Sequence, residues 1–86
     1  MVNKILFYGN CQMDALKQTL EMKGDFIACY NTKINENDFH NIIITCDIIF
    51  TQSIKDNYHN KHYLSTSYII NNCKKSCKII ICANNY

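Results

Sequence analysis

Four short apolar runs mark the chain: Ile5 to Tyr8, Phe26 to Tyr30, Ile48 to Phe50 and Ile79 to Cys82. Each is too short for a helix and rich in β-branched or aromatic residues, so each reads as a strand. The pattern predicts strands at about 3–8, 25–30, 47–51 and 78–82. Between them the spacing turns helical. Met13, Leu16 and Leu20 fall at i, i+3 and i+7 and predict a helix over about 11–23, with Asp14, Lys17, Gln18 and Glu21 facing water. Gly24 is the expected left-handed residue just past its end. A second helix, capped by Asn35 or Asn37, is expected to run to about 44, with Asp38 in its first turn and Phe39 and Ile43 one turn apart. The β-branched run Ile42 to Ile44 also admits a strand. Ser65 is placed to cap a third helix over about 66–73, with Tyr68, Ile69 and Cys73 on one side. Residues from Gln52 to about Tyr63 read as a polar loop.

This β-α-β-α-β-α-β alternation predicts an α/β fold: a small open parallel sheet of four strands with crossover helices, flavodoxin- or Rossmann-like. Strands apolar on both faces fit a parallel sheet covered on both sides. Right-handed crossovers and strand order 2-1-3-4 put the first helix on one face and the other two on the opposite face. In such sheets ligands bind beyond the carboxyl ends of the strands, where strand order reverses. Here the reversal lies between strands one and three. It brings Gly9-Asn10-Cys11-Gln12 beside Thr51-Gln52-Ser53, flanked by Asn31-Thr32 and Ala83-Asn84-Asn85. Gly9 tolerates backbone angles closed to other residues, Asn10 suits the helix N-cap, and a helix N-terminus attracts anions. A βα turn carries a glycine and a polar cap for structural reasons too, so spacing alone leaves that alternative open.

Composition narrows the field. The chain has 86 residues, 48% of them apolar, which suits one small globular domain rather than disorder. Net charge is +2, and there is no arginine. Without the bidentate reader of phosphate and guanine, nucleic acid is an unpromising partner. A small phosphorylated ligand needs only backbone N–H groups and lysine. Lys74, Lys75 and Lys78 form the one basic cluster and read as a solvated helix end. No run approaches the ~18 apolar residues of a membrane span. Six cysteines suggest a disulfide scaffold at first sight. No secretory leader precedes the first strand, and Cys29, Cys46, Cys73 and Cys82 lie in or beside apolar segments, so free thiols in a cytoplasmic setting are expected. The spacing Cys73-x3-Cys77-x4-Cys82 fits no standard zinc knuckle.

Two places carry candidate chemistry. Cys11 stands where a helix N-terminus favours a thiolate, although no second cysteine follows at Cys-x-x-Cys spacing. It is equally readable as a small residue packing under a ligand. A nucleophile-turn reading lacks a downstream His–Asp pair. Asp56, Tyr58, His59 and His62 form a polar loop cluster, in which either histidine can serve as general base or simply face water.

The sequence Ile-Leu-Phe-Tyr-Gly-Asn-Cys-Gln at 5–12, then Asp47-Ile-Ile-Phe-Thr-Gln-Ser-Ile-Lys-Asp-Asn-Tyr58, then Leu64-Ser65-Thr66, resembles the WcbI family of polysaccharide-biosynthesis proteins. Three motifs occur in the family's order and span nearly the whole chain. The resemblance implies binding of coenzyme A or acetyl-CoA and an acetyltransferase role in capsular polysaccharide assembly, with a carbohydrate acceptor. It carries over Gly9, Asn10, Cys11, Gln12, Thr51, Gln52, Asp56, Tyr58, Ser65 and Thr66 as ligand-binding positions. For an acetyl transfer it suggests His59 as base, Cys11 as a second catalytic candidate, and Gln12 or Gln52 as donor to a developing oxyanion. Two departures stand out: His59 replaces an arginine frequent after the tyrosine, and Cys82-Ala83 stands where a proline is usual. Family members are also considerably longer, so residues 1–86 read as a single α/β domain forming the N-terminal part of a larger fold. The expected cover for its thinner sheet face is self-association or a further C-terminal segment. The alternatives are a non-catalytic α/β module that binds a nucleotide or a partner, and a small esterase-type hydrolase.

Overall fold

The computed structural model describes residues 4–21, 23–29, 33–56 and 60–82. In chain order the elements are β1 (Ile5–Gly9), α1 (Cys11–Thr19), β2 (Asp25–Ala28), α2 (Glu36–Ile43), β3 (Ile48–Gln52), a 3-10 turn (His62–Leu64), α3 (Thr66–Asn72) and β4 (Lys78–Cys82). The strands form one sheet in the order β2-β1-β3-β4. Every pairing is parallel, with Leu6 between Asp25 and Ile49, and Ile49 beside Ile79. Fold class, strand order and alternation are those expected from the hydrophobic pattern. The Ile42–Ile44 run is the end of a helix: Asn35 caps it, its side chain accepting from the Asp38 amide at 2.8 Å.

The main core lies between the sheet and the α2/α3 layer. Leu6, Tyr8 and Ile49 from the strands meet Phe39 and Ile43 from α2, Ile69 from α3 and Leu64, and all seven are fully buried. The Tyr8 and Phe39 rings pack at 5.0 Å between centroids. Two phenols that enter this core find carbonyls. Tyr8 donates to Leu64 O at 2.7 Å, and Tyr63 donates to Ile34 O at 2.8 Å. A buried hydroxyl without such a partner costs free energy, so these bonds fix how the 3-10 turn seats on the sheet.

On the other face α1 lies over β1 and β2 and reaches β3. Phe7 stacks flat on Phe50, 4.7 Å apart, and Met13 is buried beside them. Cover thins toward β4. In β3 the inner residues Ile49 and Thr51 are buried, while Ile48 and Phe50 stay partly open. On edge strand β4, Ile80, beside Phe50 on this face, is half-open, and Ile81, beside Thr51 on the α2/α3 face, is 55% exposed.

Three expectations need correction. Helix α1 stops at Thr19, not near residue 23. A nine-residue helix is about 14 Å long, close to the roughly 16 Å of a five-residue strand. Four more residues would overshoot β1, and the chain must turn back to pair Asp25 with Leu6. Leu20 is therefore a cap, 45% exposed, rather than part of the apolar face. Second, the left-handed residue after the helix is Glu21, with φ 53°, not Gly24. Gly24 is needed for a different reason. A Cβ there would lie 2.8 Å from the carbonyl oxygen of Ile5, so glycine permits β2 to start against β1. Third, the segment from Gln52 to Tyr63 is not wholly a solvated loop. Gln52 closes β3 and is fully buried, and Tyr63 belongs to the core.

At the amino end of the sheet Asp47 ties the strands together. Its carboxylate accepts from the Lys4 amide at 2.8 Å and from the Lys74 ammonium at 2.5 Å, while its backbone carbonyl accepts from the Lys78 amide at 2.9 Å. The Lys74 bond, then the Lys4 amide, holds the Asp47 carboxyl below the usual carboxylate range. A carboxyl lowered on folding adds stability above its unfolded pKa, and that part is lost as pH falls through the folded value. Asp47→Asn lacks this component, so its stability is expected to fall less steeply than that of wild type as the solution is taken from about pH 5 to about pH 3. Urea titration at several pH values measures it. The same method tests the core: Ile49→Ala is expected to cost roughly 2–5 kcal/mol, whereas Ile81→Ala stays within about 0.5 kcal/mol.

Candidate functional site at the switch point

The carboxyl ends of β1 and β3 lie side by side where the chain order reverses. Gly9 ends β1 with φ 153°, a conformation L side chains rarely adopt. A Cβ at this position would sit 2.2 Å from Gln52 Oε1 and 2.6 Å from Met13 Cγ. Glycine is thus required for two reasons, backbone angle and space. Its carbonyl accepts from the Cys29 amide at 2.8 Å, tying in the end of β2.

Asn10 follows as the N-cap of α1: its side chain accepts from the Gln12 amide at 2.9 Å, and its carbonyl accepts from the Met13 amide at 2.9 Å. The Asn10 amide donates to Gln52 Oε1 at 2.7 Å, and Gln52 Nε2 donates to Gln12 Oε1 at 3.1 Å. One buried amide from β3 therefore holds both sides of the β1–α1 turn. The backbone carbonyl of the same Gln52 accepts the hydroxyls of Thr51 at 2.9 Å and Thr66 at 2.8 Å. Thr66 Oγ1 accepts in turn from the Ile54 amide at 2.6 Å. Ser65 caps α3, accepting from the Tyr68 amide at 3.1 Å and donating to His62 O at 2.7 Å.

The three sequence motifs thus converge. Gly9, Asn10, Gln12, Thr51, Gln52 and Thr66 form one hydrogen-bonded clasp, with Ser65 next to it in the chain. Within it Thr51, Gln52, Ser65 and Thr66 are buried and their polar atoms are engaged internally. Cys11, Gln12 and Asp56 are exposed, and Asn10 is half-buried. The turn spends its Gln12 and Met13 amides on itself and its Asn10 amide on Gln52, and leaves Cys11 exposed. Tyr58 and His59 lie outside the described residues, as do Asn31-Thr32 and Ala83-Asn84-Asn85. Because each helix runs back against its strand, the N-termini of α1, α2 and α3 all sit at this end of the sheet, where their dipoles favour negative charge.

One cluster escaped the sequence reading. His62 Nε2 lies 3.4 Å from Glu36 Oε2, and the Tyr68 hydroxyl lies 3.4 Å from the same oxygen and 3.2 Å from His40 Nδ1. Burial, then the charge of Glu36, pushes the Tyr68 phenol up. The sequence placed His62 in a loop with His59; nothing local pointed to Glu36, which arrives from α2. Both members of the His62–Glu36 pair are well exposed, so the pair contributes little to stability. Among the described residues no group of three or more His, Cys, Asp or Glu side chains is placed to hold a metal ion. Nor is any helix among them long and apolar enough to cross a membrane.

The clasp has a mutational signature. Gly9→Ala is expected to destabilise the protein by roughly 1–3 kcal/mol or more, because neither the φ angle nor the Gln52 amide can yield cheaply. Gln52→Leu leaves the half-buried Asn10 amide without its acceptor and is expected to cost about 1–3 kcal/mol. Chemical denaturation checks both. Wild-type stability in Gly9→Ala would show that the turn is not locked as described.

Comparison with known proteins gives a consistent pattern. The model of a family described as "Polysaccharide biosynthesis enzyme WcbI" matches residues 4–86. A solved structure of a WcbI polysaccharide-biosynthesis enzyme shares the fold, with a TM-score of 0.69 at 17% identity. It is described as the native protein without a disulfide bond between coenzyme A and one of its cysteines. The match covers 94% of this chain and 30% of that one, so the present chain spans less than a third of its length. A comparison with curated proteins gave no match.

Proposed function

The chain belongs to the WcbI family of polysaccharide-biosynthesis enzymes, and from that premise we propose that it binds coenzyme A at the β1–α1 turn. One observation carries the proposal: an exposed cysteine on the first turn of a helix, held rigidly at the sheet's switch point by a buried glutamine from β3. Coenzyme A offers a thiol at one end and phosphates at the other. Cys11 is the group that would face the thiol. The helix N-termini gathered at this end would favour the phosphates. The solved WcbI protein is described by the absence of a disulfide between coenzyme A and one of its cysteines, and that naming of a coenzyme A thiol and a cysteine as potential partners supports the reading.

In this reading Gly9, Asn10, Gln52, Thr51, Ser65 and Thr66 are positioning residues. They shape the turn and the wall beside it, and the ligand meets Cys11 and Gln12; Asp56 and Tyr58 are proposed as further ligand contacts. His59 is the proposed base for an acetyl transfer to a carbohydrate hydroxyl, as a step in capsular polysaccharide assembly. The domain is then the N-terminal part of a longer family fold, and the remainder of that fold completes the acceptor site.

A second reading is a binding module without turnover. It is favoured by the internal use of the polar atoms of Thr51, Gln52, Ser65 and Thr66, which leaves few groups to act on a substrate. Release of free thiol from acetyl-CoA separates the two readings, since the module binds and releases none.

Titration of the isotope-labelled chain with coenzyme A is expected to shift the amides of Gly9 to Gln12 and of Thr51 and Gln52. Incubation with oxidised coenzyme A is expected to give a mixed disulfide in wild type and none in Cys11→Ser. Shifts confined to Lys74–Lys78, or a mixed disulfide that persists in Cys11→Ser, would place the ligand elsewhere and end the proposal.

A further inference from the structure

Four polar side chains from three elements converge at the carboxyl end of the sheet, on the face opposite α1. Glu36 opens α2, His40 follows one turn later, His62 lies on the 3-10 turn and Tyr68 on the first turn of α3. The backbone forces this meeting. Tyr63, the residue after His62, is buried and donates to the carbonyl of Ile34, two residues before Glu36, at 2.8 Å. The His62 carbonyl accepts from the Ser65 hydroxyl at 2.7 Å and from the Ser65 amide at 3.2 Å. His62 is thus seated beside Glu36 by bonds that use neither side chain. The two side chains are 71% and 47% exposed, so their contact adds little stability, and folding energy does not account for the convergence.

The contacts leave two atoms open. Glu36 Oε2 has both His62 Nε2 and the Tyr68 hydroxyl at 3.4 Å, while Oε1 has no hydrogen bond among the described residues. Facing a carboxylate, His62 Nε2 carries the ring proton. In the neutral imidazole Nδ1 is then the acceptor, and it too is unbonded among the described residues. His40 Nδ1 holds the Tyr68 hydroxyl from the other side at 3.2 Å. Two open acceptors call for a ligand that donates. The Glu36 charge repels a phosphate or any other anion. The Lys61 ammonium, next to His62 in the chain and 5.7 Å from the Tyr63 ring, weighs against a cation. The ligand chemistry that fits is a neutral molecule with neighbouring hydroxyls.

We propose that Glu36 and His62, backed by Tyr68 and His40, form a hydroxyl-binding subsite for the carbohydrate acceptor. One sugar hydroxyl donates to His62 Nδ1 and its neighbour donates to Glu36 Oε1. The subsite rests on the reading of a carbohydrate acceptor given above, and it names residues of this chain that recognise that acceptor. Cys11 stands on α1, on the other face of the sheet. Coenzyme A and the sugar then reach the strand ends from opposite faces.

The test is nuclear magnetic resonance titration of the intact labelled chain with the methyl α-glycosides of glucose, galactose and mannose in turn. Each is taken to about 0.1 M, because a pair of exposed hydrogen bonds sustains only weak binding. With at least one sugar, the His62 ring and the amides of Glu36, His62 and Tyr68 are expected to shift and saturate. Glu36→Gln and His62→Phe replace exposed side chains, and each is expected to weaken that binding by about fivefold or more. The mixed disulfide between Cys11 and coenzyme A is expected to form as before in both variants. If none of the three sugars shifts these residues, if the shifts lie elsewhere, or if both variants bind like wild type, the subsite is overturned, whatever happens at Cys11. Sugar binding here without a mixed disulfide would instead retain the subsite and remove the coenzyme A reading.

Discussion

A single side chain, the amide of Gln52, is the constraint on which the switch point depends. It leaves the end of β3, is 1% exposed, and divides its two polar atoms between the Asn10 amide and the Gln12 side chain. A buried amide cannot be left half-satisfied without a cost of about 1–3 kcal/mol, so its two bonds are effectively compulsory. They fix where Asn10 and Gln12 stand. They also exclude any Cβ at Gly9, whose position Gln52 Oε1 would overlap. Glycine, cap and glutamine are therefore one interdependent unit, although they come from segments about forty residues apart in the chain.

The rest of the fold serves that unit through simple geometry. Parallel strands need crossovers, and each crossover helix must match the strand it covers. Helix α1 is cut to the length of β1 and α3 is shorter still, so each carries the chain back to the amino end, where the next strand starts. The main core lies on the α2/α3 side, where Tyr8 reaches through from β1 to hold Leu64. That bond seats the 3-10 turn immediately before Ser65, and Thr66 then reaches the Gln52 carbonyl. Core packing and site geometry are joined at this point: moving Tyr8 would move the α3 cap.

The fold was readable in the sequence because its signals are local. Short β-branched runs, a 3.6-residue period and capping residues such as Asn10, Asn35 and Ser65 each act within a few residues. The adjacency of Gly9–Gln12 and Thr51–Gln52 followed from strand order alone. What escaped was set by tertiary distance. No propensity shortens α1; the length of β1 does. No local rule moves the left-handed residue from Gly24 to Glu21; the approach of β2 to Ile5 does. Gln52 looked like the start of a polar loop because a buried glutamine is recognisable only once its partners are known. Glu36 and His62 met for the same reason, through the packing of α2 against the 3-10 turn.

The internal use of the clasp's donors bears on what kind of site this is. A glycine-rich phosphate loop works by leaving its backbone N–H groups open to the ligand. Here the Gln12 and Met13 amides are already engaged within the turn and the Asn10 amide by Gln52, so the turn is stiff before any ligand arrives. Stiffness has its own use. A thiol carried on a pre-set helix turn loses little conformational freedom when it meets a partner, and binding then keeps more of the interaction energy. Cys11 is the exposed sulfur in this unit, whereas Cys29 and Cys46 are buried in the core as small apolar residues. The same amino acid thus has different roles at the carboxyl end of the sheet and in its interior. What separates them is whether the local backbone holds the thiol toward water or toward the core.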